Sequence, residues 1–178
     1  MVRAPSNATI MLEGCEAMWR ICMNANLQDD IGRRGGCAAV VVTLRSHPEN
    51  ATVTLAALQL ATNLCYAQPK SPFGFRGWAH THAQDELGRK QQSIPDIVQA
   101  MTRHAALAEV QDAAIRALSN LVYNHSENVL RSVNGRAIEA VVAAMQTHKD
   151  DYKVQEGGCL FIWSILARCV LRLVFNFV

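Results

Sequence analysis

Residues 110–121, VQDAAIRALSNL, are one copy of a pattern that the chain writes four times. The other copies are IMLEGCEAMWRI at 10–21, VTLAALQLATNL at 53–64 and VQEGGCLFIWSI at 154–165. Counted from the first residue of each copy (Ile10, Val53, Val110, Val154), the fourth offset holds Gly14, Ala57, Ala114 and Gly158. The seventh holds Ala17, Leu60, Ala117 and Phe161, the eighth Met18, Ala61, Leu118 and Ile162, and the eleventh Ile21, Leu64, Leu121 and Ile165. Offsets of 0, 4, 7, 8 and 11 lie on one face of an α-helix, so each copy predicts a helix with a small and apolar stripe.

A second helical segment precedes three of the copies, aligning Val41 with Val98 and Val142, Leu44 with Met101 and Met145, and His47 with His104 and His148. The register is kept: His104 to His148 and Val110 to Val154 both span 44 residues, while His47 to His104 and Val53 to Val110 both span 57. The longer period places 13 extra residues in one unit. Without them the period matches the roughly 40 to 47 residues of armadillo and HEAT repeats.

The run 138–159, IEAVVAAMQTHKDDYKVQEGGC, resembles an armadillo repeat, in the form found in protist armadillo proteins and in the region preceding the leucine-rich repeats of some large kinases. The resemblance extends over about Ile10 to Ala167. It implies an all-α fold, a right-handed armadillo-type solenoid of about three repeats plus a partial N-terminal one. The whole chain, 1–178, reads as one array: a partial repeat at 1–25, repeats at 26–67, 84–125 and 126–167, an insertion at 68–83 and an apolar tail at 168–178. The third helices of such an array line a groove that holds extended peptides or other proteins, and no catalysis comes with it.

Helix boundaries can be predicted from the caps. Ser126 is expected to cap a short first helix that Asn134 and Gly135 end. A second helix then carries Ile138, Val141, Val142 and Met145 and stops near His148, and Asp150 and Asp151 suit the start of the third. In the preceding unit, Ser93-Ile94-Pro95-Asp96 puts a cap at Ser93 and a proline in the first turn, where a missing N–H is harmless. GRRGG at Gly32 to Gly36 reads as a helix-ending turn rather than a phosphate loop. The histidine column could suggest a metal, but equivalent residues of stacked helices lie roughly 10 Å apart, too far to share one ion. Each histidine is expected to bond the last carbonyls of its own second helix. His80 and His82 have no partners for a metal site either.

Composition narrows the rest. Seventeen lysines and arginines against 15 acidic residues give a net charge of +2, with no basic run and no interleaved aromatic platform, so a nucleic-acid surface is not expected. Cys15, Cys22, Cys37, Cys65, Cys159 and Cys169 form no C-x-x-C pair and are read as free, mostly buried thiols of a cytoplasmic protein without zinc or disulfides. Sequons at Asn7, Asn50 and Asn124 follow no signal peptide and are read as chance matches. The run Cys159 to Val178 is about as long as a membrane span, yet Arg168 and Arg172 within it would each cost about 2.5 to 3.5 kcal/mol at a bilayer centre. With no acid–base pair, nucleophile constellation, metal cluster or cofactor fingerprint, no catalytic residue and no cofactor are assigned.

The tenth offset interrupts each stripe with a polar residue: Arg20, Asn63, Asn120 and Ser164. In peptide-binding armadillo proteins an asparagine there bonds the peptide backbone, and Asn63 and Asn120 match that motif. The tryptophan found four residues earlier in importin-α-like repeats is replaced by Glu16, Gln59, Arg116 and Leu160, so nuclear-import signals are not the expected ligand. Asn63, Asn120, Arg116, Gln59, Arg20 and Ser164 are the candidate partner-binding residues; the plainer reading of the two asparagines is a solvated or internally bonded helix residue. In the insertion, Pro69, Pro72, Gly74 and Gly77 surround Phe73, Phe75 and Trp78. Those aromatics fold over the groove, anchor a partner, or mark an unspliced segment. The chain opens inside a third helix and closes on an apolar run, where solenoids carry polar caps; this reads as a fragment whose ends self-associate. The expected function is a non-catalytic protein-interaction scaffold. The alternatives are an architectural spacer within a larger protein, such as a kinase or signalling protein, and membrane association through the tail.

Overall fold

The computed structural model describes residues 5–66 and 82–175, with side chains described throughout except at 25, 26 and 168–175. Among these residues every regular element is a helix. In chain order they are α1 (Ala8–Cys22), α2 (Ala25–Ile31), α3 (Cys37–Ser46), α4 (Ala51–Leu64), α5 (His82–Asp85), α6 (Ser93–Arg103), α7 (Ala108–Val122), α8 (Ser126–Asn134), α9 (Ala137–Thr147) and α10 (Tyr152–Phe175). Wide π-type turns at Gly32–Gly36 and Glu86–Lys90 join α2 to α3 and follow α5. The four copies of the repeated pattern are α1, α4, α7 and α10, and each packs against the next. A second rank, α3, α6 and α9, stacks in the same order, each member lying against the following member of the first rank. Successive helices packed in this way are compatible with a helical solenoid. The first helix of the third unit begins at His82, inside the segment assigned to the insertion, and α10 continues past residue 167 to Phe175.

The apolar columns form the core. Val53, Ala57, Leu60 and Leu64 of α4, Val110, Ala114, Ala117 and Leu121 of α7, and Val154, Phe161 and Ile165 of α10 are all buried. Small residues occur where helices come closest. A Cβ on Gly158 would run into the thioether of Met145 on α9, and one on Gly157 would come within 3.1 Å of Ile115 on α7. Offset 4 thus faces the unit's own second helix and offset 3 the preceding third helix.

Helix starts obey one column, three residues before each copy. Asn7 Oδ1 accepts from Ile10 N, Asn50 Oδ1 from Val53 N, and Asp151 Oδ1 from Lys153 N and Val154 N. Two of the sequon asparagines are therefore N-caps, which accounts for an Asn at both sites. At α7 the column holds Leu107, which is half exposed and makes no cap bond. Two predicted caps are displaced by one residue. His125, not Ser126, caps α8 through Nδ1, which accepts from Asn128 N. At α6 the chain enters through Gln92 in the left-handed region (φ 51°), and Ser93 is buried within the first turn. Gly35, at φ 104°, supplies the corresponding reversal in the Gly32–Gly36 turn, where α2 ends before α3 begins, as the glycines predicted.

Helix ends are closed by glutamines. Gln111 Nε2 donates to Met101 O and His104 O, and Gln155 Nε2, 44 residues on, to Met145 O and His148 O. Gln28 does the same for the end of α4 (Asn63 O, Leu64 O and Tyr66 O) and Gln84 for the end of α7 (Asn120 O and Tyr123 O). The histidines take a different role from the one expected. His47 Nε2 lies 2.7 Å from Pro5 O, His104 Nε2 2.9 Å from Pro48 O, and His148 Nε2 2.7 Å from Ala105 O. A carbonyl only accepts, so each imidazole donates from Nε2, and it does so to the turn of the preceding unit. Gln111 and Gln155 take the carbonyls at the ends of α6 and α9, and there the ring reaches across the stack; His47 does the same although Thr54 stands in the glutamine column.

Cys15, Cys22, Cys37, Cys65 and Cys159 are free. Burial pushes the Cys22 thiol up to about 11 and, with help from the negative Glu86, the Cys37 thiol up to about 12; Cys15 and Cys65 are also raised by burial. A thiolate is the reactive form. Near neutral pH these four should therefore label slowly with a maleimide in the folded chain and fully after denaturation, as peptide mass mapping of briefly labelled protein would show. A second test is Leu107→Asn, which gives α7 the cap its counterparts have and should stabilise the chain by about 1 kcal/mol. Gly158→Leu should destabilise it by about 1 to 3 kcal/mol through overpacking against Met145. Urea midpoints of the two variants decide both.

Candidate functional site

The members of the first rank expose a second stripe beside their buried one, at offsets 2, 6 and 9. Across α1, α4, α7 and the start of α10 this stripe encloses a groove of about 700 Å³. Trp19 enters it from α1; Leu55, Gln59, Thr62 and Asn63 from α4; Glu109, Asp112 and Arg116 from α7; Asp151, Tyr152 and Lys153 from α10. Of the six residues proposed from the sequence, Asn63, Gln59 and Arg116 meet in this groove. Asn120, Arg20 and Ser164 are not among its walls.

The tenth offset sits at the seam between neighbouring helices. Asn120 Nδ2 donates to Thr62 O at 2.8 Å and Asn63 Nδ2 to Trp19 O at 3.4 Å, so each amide stitches its helix to offset 9 of the preceding one. Their Oδ1 atoms accept from no described residue. The departures from asparagine break the seam: Ser164 Oγ donates back to Leu160 O of its own helix, and Arg20 pairs with Glu16 on the surface.

Gln59 is half-buried in the groove, and its amide makes no hydrogen bond to any described residue. Arg116 Nε donates to Asp112 Oδ1 at 2.7 Å, with the arginine half exposed. Exposed pairs one helical turn apart contribute little, of order 0.3 to 0.5 kcal/mol, so Arg116 can change partners cheaply. The walls carry three carboxylates (Glu109, Asp112, Asp151) and two cations (Arg116, Lys153), and Trp19, Leu55 and Tyr152 provide apolar surface. Such a lining can bond an extended backbone through amides and hold side chains of either charge at separate points. It holds no group of three or more His, Cys, Asp or Glu side chains suited to a metal ion; none occurs among the described residues.

Sequence reasoning passed over Trp19, Leu55, Glu109, Asp112, Tyr152 and Lys153. For Trp19, Leu55 and Asp112 the signal was the same periodicity read one step around the helix, at offsets 2 and 9; Glu109, Tyr152 and Lys153 stand just before their copies begin. Phe73, Phe75 and Trp78, proposed as loop anchors, lie outside the described residues, as does His80; His82 stands at the start of α5. No helix among the described residues is long and apolar enough to cross a membrane.

Asn120→Ala should lower stability by about 0.5 to 1.5 kcal/mol, the worth of one net hydrogen bond, whereas Gln59→Ala should change it by less than 0.5 kcal/mol. Denaturant unfolding of the two variants separates the stitching amide from the unspent one. No protein-family model, curated protein or solved structure matches the chain.

Proposed function

We propose that this chain is an armadillo-type, right-handed α-solenoid that acts as a non-catalytic scaffold, binding an extended segment of a protein partner along the groove. The observation carrying this reading is the meeting of Gln59, Asn63 and Arg116 in one groove, each with hydrogen-bonding capacity that the fold leaves available. A side-chain amide can accept from one backbone N–H and donate to one C=O, which is what a passing strand requires. Trp19 and Leu55 supply the apolar contact, and the mixed charges on the α7 and α10 walls set side-chain preference. Free, buried thiols support a reducing compartment, the cytoplasm, as the site of action.

Peptides selected from a random library against the full chain provide the test. Gln59→Ala combined with Arg116→Ala should weaken binding of a selected peptide about 5- to 150-fold, corresponding to 1 to 3 kcal/mol, at an unchanged thermal midpoint. Titration calorimetry measures it. If the double variant binds every selected peptide as tightly as the parent, the groove is not the binding surface.

A further inference from the structure

α10 turns outward a stripe that its counterparts cover. At offset 5, Leu58 and Ile115 are buried, but Cys159 is exposed; at offset 12, Cys65 and Val122 are buried, but Leu166 is 56% exposed. At offset 9, Thr62 and Ser119 are half-buried, and α10 has Trp163, 65% exposed. In α4 and α7 these columns meet the next third helix: Thr62 Oγ1 reaches Ala113 O on α7, and Ile115 faces Gly157 on α10. Offset 6 is different, because no unit buries it. There Glu16, Gln59 and Arg116 give way to Leu160, 56% exposed. The stripe is thus apolar even where the stacking pattern places no neighbour, and between Val154 and Ala167 its one charge is Glu156.

Which surface of this chain could cover it follows from the covering columns, offsets 3 and 10. On α4, α7 and α10 they hold Ala56, Ala113 and Gly157, and Asn63, Asn120 and Ser164. On α1 they hold Glu13 and Arg20, both exposed. A carboxylate where a Cβ is already crowded, and a guanidinium on the seam, would be desolvated without partners. α1 is therefore unsuited to seat head-to-tail on the α10 stripe. A second α10 stripe is suited, being uncharged over Cys159, Leu160, Trp163 and Leu166 and small at Cys159 where two helices would cross.

We propose that α10 packs on α10 of a second copy about a two-fold axis, through Cys159, Leu160, Trp163 and Leu166. Such an interface is isologous and closes at two copies. Light scattering of the full chain should give twice the 19.6 kDa chain mass. Trp163→Glu, an exposed position that leaves the core intact, should return it to a monomer with unchanged circular dichroism, and Leu160→Gln, the residue α4 carries there, should raise the dimer dissociation constant at least tenfold. A flexible bismaleimide should link two copies in the parent but not in Cys159→Ser, and Glu13→Ala with Arg20→Asn should leave the mass unchanged. A parent that stays monomeric at every concentration, a dimer that survives Trp163→Glu, or open-ended oligomers that grow when Glu13 and Arg20 are replaced would each overturn the proposal.

Discussion

The short distance between successive third helices is the constraint from which the other features follow. Ala113 and Gly157 allow it, since a Cβ at Gly157 would already press on Ile115. At that distance one side-chain amide spans the gap, as Asn120 does to Thr62 O. The energies rank clearly. A net hydrogen bond contributes about 0.5 to 1.5 kcal/mol, whereas full burial of one Leu or Phe contributes about 1.5 to 3 kcal/mol, and Leu60, Leu64, Leu118, Leu121 and Phe161 are all fully buried here. Packing therefore holds the stack together, and the amides set its register. The groove is the other face of the same fact: helices this close leave positions such as Leu55, Gln59, Asp112 and Arg116, at offsets 2 and 6, to line it.

Much of this was legible from spacing alone. Offsets 0, 4, 7, 8 and 11 located all four members of the first rank, and the His47, His104 and His148 column located the ends of α3, α6 and α9. The roles of polar side chains were less so, because a linear pattern shows that a residue departs from the apolar stripe without showing which neighbour it meets. Asn63 and Asn120 were recognised as special, but their donors point to the preceding helix. The histidines were placed at the right carbonyl-rich ends and assigned to the wrong unit, since Gln111 and Gln155 lie in the next helix and reach back. Ser126 and Ser93 carry cap chemistry, yet His125 and the left-handed Gln92 occupy the capping positions. Trp19 and Tyr152 were missed because a groove wall made by four helices has no contiguous signature in the chain.

Helix termini here depend on side chains from outside the helix. Gln28 and Gln84 come from α2 and α5 to close α4 and α7, and Asn128 of α8 donates to both Gln84 O and Leu121 O. Gly88 is required beside it, for a Cβ there would collide with Asn128. Thr54 shows the cost of departing from the pattern. It occupies the column of Gln111 and Gln155 on α4, is buried, and its hydroxyl has no partner among the described residues. Leaving a buried polar group unsatisfied costs about 1 to 3 kcal/mol, and the junction of α3 and α4 also forgoes the two bonds that Gln111 and Gln155 make at the other two.

The histidine ladder bears on how the chain comes apart. Between α1 and α4 or α4 and α7, a boundary between a folded unit and an unfolded one would have to break a histidine bond, break the seam and uncover a third-helix face, all at the same place; between α7 and α10 it would break the histidine bond and uncover the face. Nearest-neighbour coupling of that kind makes such boundaries scarce, in the manner of a one-dimensional chain of strongly coupled spins. Adjacent units then melt together instead of singly. The groove residues Trp19, Gln59 and Arg116, which sit on three separate helices, are accordingly gained and lost together.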